Sequence, residues 1–258
     1  MYVSLLHRGS APVLAYSEKD MVFHAGKRMA VVVESTPQGL RAVARTADKD
    51  LWTRAGMKGF RAPLLWFIDD HVLLMDDHAL IMLDELDGRE LAVAALSGVR
   101  SGAPAVLGRN GVIAVPTSAG VVLVQVVGGT QPALTLLPDP LLGELGIPRL
   151  ASDGEQLLAI RPDKKVQLLA WQGDRLARRW VVSLPADAGV PAHCTLAAEQ
   201  VLVADDQGSV FVLARSDGQV LRRILHGTPL AAAPLVVDGK VLFADREGRV
   251  SAYRLTPR

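Results

Sequence analysis

The chain alternates between short apolar runs and polar turns from end to end, and six of its windows repeat one arrangement. Val201–Ala214 reads Val-Leu-Val-Ala-Asp-Asp-Gln-Gly-Ser-Val-Phe-Val-Leu-Ala, and Val241–Arg254 reads Val-Leu-Phe-Ala-Asp-Arg-Glu-Gly-Arg-Val-Ser-Ala-Tyr-Arg. Windows starting at Val72, Val112 and Leu157 lie over these without a gap, and one starting at Met21 needs a single deletion. Successive starts are 40 to 51 residues apart. Each repeat opens on a Pro (Pro12, Pro63, Pro104, Pro148, Pro191, Pro234) and a short apolar stretch. A polar turn follows, then two apolar strands separated by a second turn such as Asp205–Gly208. A Gly-containing turn, Asp87-Gly88 or Asp217-Gly218, leads into a fourth strand such as Gln219–Leu225. Asn-Gly and Asp-Gly between β-rich runs are strong short-range hairpin signals. Four strands recurring at this period predict the blades of a propeller.

The expected architecture is all-β: a six-bladed β-propeller of four-stranded antiparallel blades, spanning 1–258 as one domain of six repeats of about 43 residues. The last repeat stops after its third strand, at Ser251–Leu255, while the residues before the first Pro resemble a fourth strand. The ring is therefore expected to close by the N-terminal strand completing the C-terminal blade, which removes the exposed sheet edges that invite aggregation. The stretch Val126–Leu137 fits a fourth strand, a loop or an insertion.

Ala233-Pro-Leu-Val-Val-Asp-Gly-Lys-Val-Leu-Phe-Ala-Asp-Arg-Glu-Gly-Arg-Val-Ser-Ala-Tyr253 resembles the PQQ-type repeats of the quinoprotein-like propellers. Leu83-Asp-Glu-Leu-Asp-Gly-Arg-Glu-Leu91 is similar to that family's Leu-Asp-x-x-x-Gly-x-x-Leu signature. The resemblance covers nearly the whole chain, and it implies a fold more than a function, because one fold hosts many activities. The family's quinone-dependent dehydrogenases, as the resemblance implies, are longer, eight-bladed and periplasmic, with a calcium ion and a vicinal Cys pair. This chain is half that length with one Cys, so it looks like a non-catalytic member. Small rings of this group look like accessory subunits of bacterial assemblies, one class of which works beside AAA+ ATPases and von Willebrand A-type proteins.

Charge changes the picture only by exclusion. With 28 basic and 27 acidic side chains, the chain has no overall field to draw nucleic acid or an acidic membrane. Cys194 is the single cysteine, so no intrachain disulfide forms. The N-terminus has neither a basic n-region nor an apolar h-region. The longest apolar run, near Val121–Val127, is too short to cross a bilayer. The expectation is a cytoplasmic protein with no membrane or nucleic-acid partner.

Several residues invite chemistry. Asp69-Asp70-His71 and Asp76-Asp77-His78 have the residue types of a metal site, but an extended strand between them, rising about 3.3 Å per residue, holds the two groups apart. Asp76, Asp205 and Asp245 share one repeat position at the opening of a turn, where Asp caps its own backbone. His193 and Cys194 are adjacent on a strand and so point to opposite faces, which leaves Cys194 as a small hydrophobe. His226 reads as a turn residue. Arg178-Arg179 and Arg222-Arg223 fall on fourth strands, where they read as guards against edge pairing ahead of the alternative, a basic rim stripe that docks an acidic partner, and Trp52 and Trp180 pack on the same outer strands. No catalytic residue, metal or cofactor is expected.

The reading that follows is a scaffold that binds another protein through loops held by a rigid ring. The candidate contact residues are Asp76, His78, Thr117, Ser118, Arg161, Asp163, Asp206 and Arg246, all in the turn between second and third strands, hence on one face. The alternative is a calcium-dependent lactonase-like or other hydrolase using the channel. The first strands, Ala-Pro-Leu-Val-Val and Ala-Pro-Ala-Val-Leu, carry almost none of the carboxylates such a site needs.

Overall fold

The computed structural model describes residues 21–25, 30–36, 39–46, 49–57, 64–68, 70–108, 111–237 and 239–254. Among them the strands form six antiparallel sheets in chain order, five of four strands and one of three. The first sheet runs β1 (Met21–Ala25), β2 (Ala30–Thr36), β3 (Gly39–Arg45) and β4 (Asp50–Met57). The second runs β5 (Leu64–Ile68), β6 (His71–Met75), β7 (Ala79–Asp84) and β8 (Glu90–Ala95). The third runs β9 (Ala105–Leu107), β10 (Val112–Thr117), β11 (Gly120–Val127) and β12 (Ala133–Leu137). A one-turn helix, α1 (Leu142–Leu145), precedes the fourth, β13 (Arg149–Ser152), β14 (Gln156–Ile160), β15 (Lys165–Trp171) and β16 (Leu176–Ser183). The fifth runs β17 (Pro191–Leu196), β18 (Gln200–Asp205), β19 (Ser209–Ala214) and β20 (Val220–Leu225). The sixth has β21 (Leu235–Val237), β22 (Lys240–Ala244) and β23 (Val250–Arg254). The stretch Val126–Leu137 thus holds the end of β11 and a fourth strand, β12. The expected closing strand at residues 1–11 lies outside the described residues, as does Asp69 of the acidic pair.

The chain divides into two compact units: the stretch up to Arg100 with Val124–Leu136, and Ser101–Leu123 with Leu137 onward. In both, the middle strands are buried on both faces. β18 and β19 read Gln-Val-Leu-Val-Ala-Asp and Ser-Val-Phe-Val-Leu-Ala, and nearly every residue in them is sealed. This explains why these strands are continuous apolar runs rather than alternating ones: each face meets another sheet. In the second unit, Val201, Val203, Phe211 and Leu213 face Leu158, Val166 and Leu168 of the fourth sheet. The opposite face, Leu202, Ala204, Val210 and Val212, packs on Val241 and Phe243 of the sixth. Each fully buried Leu, Val or Phe contributes about 1.5–3 kcal/mol. The fourth strands are polar because one side meets water, as in β20 (Val-Leu-Arg-Arg-Ile-Leu), where no residue is buried.

Four fourth strands carry the same irregularity. Opposite pairs Ala44↔Trp52 and Arg45↔Asp50 leave Leu51 over, and Met82↔Ala92 and Leu83↔Glu90 leave Leu91 over. Arg179 and Leu221 are extra in the same way in β16 and β20. Each is a β-bulge, which bends the strand and re-aims the side chains on either side of it.

The two tryptophans of these strands use it. Trp180 is 8% exposed, and its Nε1–H donates to the Arg215 carbonyl of the next sheet at 2.8 Å. Its ring lies over Gly218 (φ +79°), where an added Cβ would fall 2.7 Å from Cε3. Trp52 repeats the arrangement in the first unit, donating to Glu85 O at 2.9 Å and covering Gly88 (φ +70°). Both glycines need a positive φ and no side chain. The packing role read for Trp52 and Trp180 is what the structure shows.

Candidate functional site

The turns between second and third strands hold all eight candidate residues, and their chemistry is of two kinds. Aspartates that open the turns are buried and bound to their own backbone. Asp76 Oδ1 accepts from the N–H groups of His78 at 2.7 Å and Ala79 at 2.8 Å. Asp205 Oδ1 accepts from Gln207 at 3.0 Å and Ser209 at 2.7 Å, while Oδ2 takes Gly189 N–H at 2.9 Å. Asp245 Oδ1 accepts from Glu247 and Arg249, both at 2.9 Å. Thr117 does the same work by hydroxyl: it is fully buried and its Oγ1 accepts from Ala119 N–H at 3.2 Å. Asp76 and Thr117 are therefore buried turn builders, bound to the backbone of their own turns.

The other candidates face outward. In the first unit His78 is exposed at the turn tip. In the second, Ser118, Asp163, Asp206 and Arg246 are exposed and Arg161 is half-buried. Asp206 Oδ1 is held by Val190 N–H at 2.8 Å. The structure brings together Arg161 and Asp163, 2.8 Å apart. It gives the acidic-histidine pairs other employment: His71 Nε2 meets Gly129 O at 3.2 Å, and Asp77 pairs with buried Arg100 at 3.4 Å.

Around Arg161 opens a depression of about 580 Å³ on the fourth sheet, lined by Glu144, Arg161, Lys165, Gln167, Arg178 and Ser183 among others. Its construction follows from the strand register. Lys165 opposes Ser183 and Gln167 opposes Val181, so all four share one face. A regular strand would put Arg178 on the Trp180 face. The bulge at Arg179 instead sets Arg178 opposite Leu169, on the face of Lys165 and Gln167. Helix α1 supplies Glu144, whose carbonyl accepts from Arg161 Nη1 at 2.5 Å and whose carboxylate pairs with Arg178. Gln167 is 4% exposed, and its Oε1 has no hydrogen-bond partner among the described residues.

No family model matches the chain. Over 118 residues, 40% of its length, it is 31% identical to the outer membrane protein assembly factor BamB of Alkalilimnicola ehrlichii, and the match spans 30% of that relative. Among solved structures it is similar to the computationally designed Ika8 protein, with a TM-score of 0.68 at 14% identity, covering 90% of this chain and 70% of that one. Apo AztD of Citrobacter koseri gives 0.63 at 12% identity, covering 95% and 71%. BamB of Moraxella catarrhalis gives 0.50 at 12% identity, covering 96% and 89%. The fold is of the β-propeller type.

In this propeller-type chain the remaining reactive side chains are structural. Cys194 is buried in the core between the fourth and fifth sheets, and burial pushes its thiol up to about 12. Its neighbour His193 lies on the other face of β17, and burial, with Arg149 and Arg246 nearby, holds its imidazole below the usual histidine range. Arg223, read as an edge guard, pairs with Asp187 at 2.5 Å and lies 5.1 Å over the Phe211 ring. His226 directly follows β20, before a bend at 227–228, and its ring does more than a turn requires. It is buried between Tyr253 Oη at 3.2 Å and Asp245 Oδ2 at 3.3 Å. The depression itself was missed by reading turns alone: Glu144, Lys165, Gln167 and Arg178 come from a helix and two strands. The register that joins them depends on one extra residue in β16.

Proposed function

We propose that this chain is a non-catalytic six-bladed propeller, residues 1–258, that holds another protein within a larger bacterial assembly. The match to an outer membrane protein assembly factor is the observation that carries this reading. The architecture supports it: apolar middle strands fix the turns, and the turn tips present exposed, chemically varied side chains at Ser118, Asp163, Asp206 and Arg246. The buried turn aspartates serve rigidity, which lowers the ordering cost of binding.

Affinity purification of the tagged protein from its own lysate, with mass spectrometry, tests the proposal. A stoichiometric partner is expected, and its class separates an outer-membrane assembly from an AAA+ or von Willebrand A-type system. A chain that emerges alone and carries stoichiometric calcium overturns the scaffold reading in favour of the hydrolase. Cell fractionation tests the cytoplasmic expectation, since recovery with the envelope overturns it. The ring closure we propose is tested by removing residues 1–11: the truncated chain is expected to aggregate or lose cooperative unfolding, and a soluble, cooperative product sinks it.

A further inference from the structure

We infer that the depression on the fourth sheet is a docking site for an acidic segment of a partner protein, and that Glu144 occupies it in the free chain as a stand-in for the partner's carboxylate. This rests on the scaffold reading and adds where the partner is gripped and by what chemistry.

The wall of the site is a set of cations brought from separate elements: Arg161 from the β14–β15 turn, Lys165 from the start of β15, and Arg178 from β16. Two acids answer them from within the chain. Asp163 is 2.8 Å from Arg161 and 3.9 Å from Lys165. Glu144 reaches Arg178 from α1, a four-residue helix in the link between the third and fourth sheets. The Arg178–Glu144 pair lies at the surface, with side chains 38% and 55% exposed. Such a pair contributes little to stability and is readily exchanged for another carboxylate of better geometry. Guanidinium suits the task, since its planar fork accepts a carboxylate through two parallel hydrogen bonds.

Two further observations point to an extended segment rather than a lone ion. The site borders β16, the outermost strand of its sheet, and Val181 beside it is 45% exposed. On the same face the Gln167 carboxamide is buried with its Oε1 lacking a donor. Buried polar atoms are nearly always satisfied, so this carboxamide is met by water in the free chain or by a donor that an occupant of the site brings. A peptide carries both groups, a side-chain carboxylate for Arg178 and backbone N–H groups; an inorganic anion carries only the first.

The experiment uses the full chain and a fluorescein-labelled hexaglutamate peptide, read by anisotropy in buffer containing physiological salt. The wild type is expected to bind weakly. Glu144→Gln is expected to tighten binding by about two- to fivefold by removing the stand-in, the range an exposed ion pair allows. Arg178→Ala is expected to weaken it by about tenfold, as loss of a charge-assisted bond does. Both residues are exposed, and thermal unfolding confirms that each variant keeps the fold. Opposite signs for the two variants are the signature. Equal weakening by both overturns the stand-in, and binding indifferent to Arg178→Ala overturns the site. Competition by inorganic phosphate at the peptide's own concentration overturns the peptide assignment. Failure of these tests while the lysate still yields a partner leaves the scaffold standing with its grip elsewhere. Success with no partner recovered does the reverse.

Discussion

The fifth sheet is joined to its two neighbours by different means. On the side of the fourth sheet the tie is a wedge: Trp180 covers Gly218 and donates to Arg215 O. Arg215 itself returns to the fourth sheet, with Nε 2.9 Å from Gln156 Oε1 and an ion pair to Asp153. On the side of the sixth sheet no tryptophan is present among the described residues. Asp245 is there the hub, held by Arg249 Nε at 3.1 Å and His226 Nε2 at 3.3 Å, with Leu230 bridging to Asp245 along the backbone. Phe243 fills beneath, edge-on to His226 at 5.6 Å. The buried apolar area of the wedge is insensitive to pH, whereas the Asp153–Arg215 pair beside it and the Asp245 hub both depend on an ionised carboxylate. The junction between successive sheets is thus filled by an aromatic wedge on one side of the fifth sheet and by a polar hub on the other.

The largest way to break this contrast is Trp180→Ala, expected to cost about 3–5 kcal/mol in urea unfolding. Trp180→Phe keeps most of the wedge and loses only the bond to Arg215 O, about 1 kcal/mol. Gly218→Ala strikes the same tie from the other side, placing a methyl inside the ring contact at a positive φ, for about 2–4 kcal/mol. Gly248→Ala is the matched control, with φ +83° but no atom of the described residues within 4 Å of the new Cβ, and should lose only about 1–2 kcal/mol. Equal losses at Gly218 and Gly248 would mean that backbone strain alone sets the cost.

The next effect is at the hub and depends on pH. Burial alone would raise the Asp245 carboxyl, but bonds from Arg249, His226 and Glu247 outweigh it and hold it below the usual carboxylate range. The folded chain therefore gives up this charge later than the unfolded chain does. The stability it lends is complete above about pH 5 and is lost as pH falls through the depressed value. Asp245→Asn should flatten the acid limb of the stability profile, while Trp180→Phe leaves its shape unchanged. His193 acts one step higher. Its depressed imidazole means the unfolded chain takes up a proton first as pH falls through about 6.5, so stability declines there. His193→Asn removes that decline, measured by denaturant midpoints from pH 8 to 5. The smallest expected signal is at Cys194: sealed and with its thiol raised to about 12, it should react with a thiol reagent only as fast as the chain opens.

Much of the fold was legible in the repeat because its cues are local. Asp205-x-x-Gly208 and Asp245-x-x-Gly248 announce turns whose side chains bond within four residues. The Gly after the third strand, Gly88 or Gly218, announces the turn that receives a tryptophan. The exposed turn residues could be placed by counting from the strands. The depression could not, because Glu144 and Arg178 are 34 residues apart and meet only through the bulge at Arg179. A period-two reading of β16 puts Arg178 on the wrong face. The reading of His226 was incomplete for a related reason: Leu-His-Gly-Thr describes its backbone, but its partners Asp245 and Tyr253 lie in the following repeat.

The tryptophan ties also bear on how such a chain can change its length. Plug and socket belong to successive repeats: Trp180, on the fourth strand of the fourth sheet, finds Gly218 in the turn before the fourth strand of the fifth, as Trp52 of the first sheet finds Gly88 of the second. The tie therefore comes in pairs of repeats, the first with the second and the fourth with the fifth, one member bringing the plug and the other the socket. Such a pair can be copied or lost together with its contact intact, whereas loss of the socket member alone strands a tryptophan.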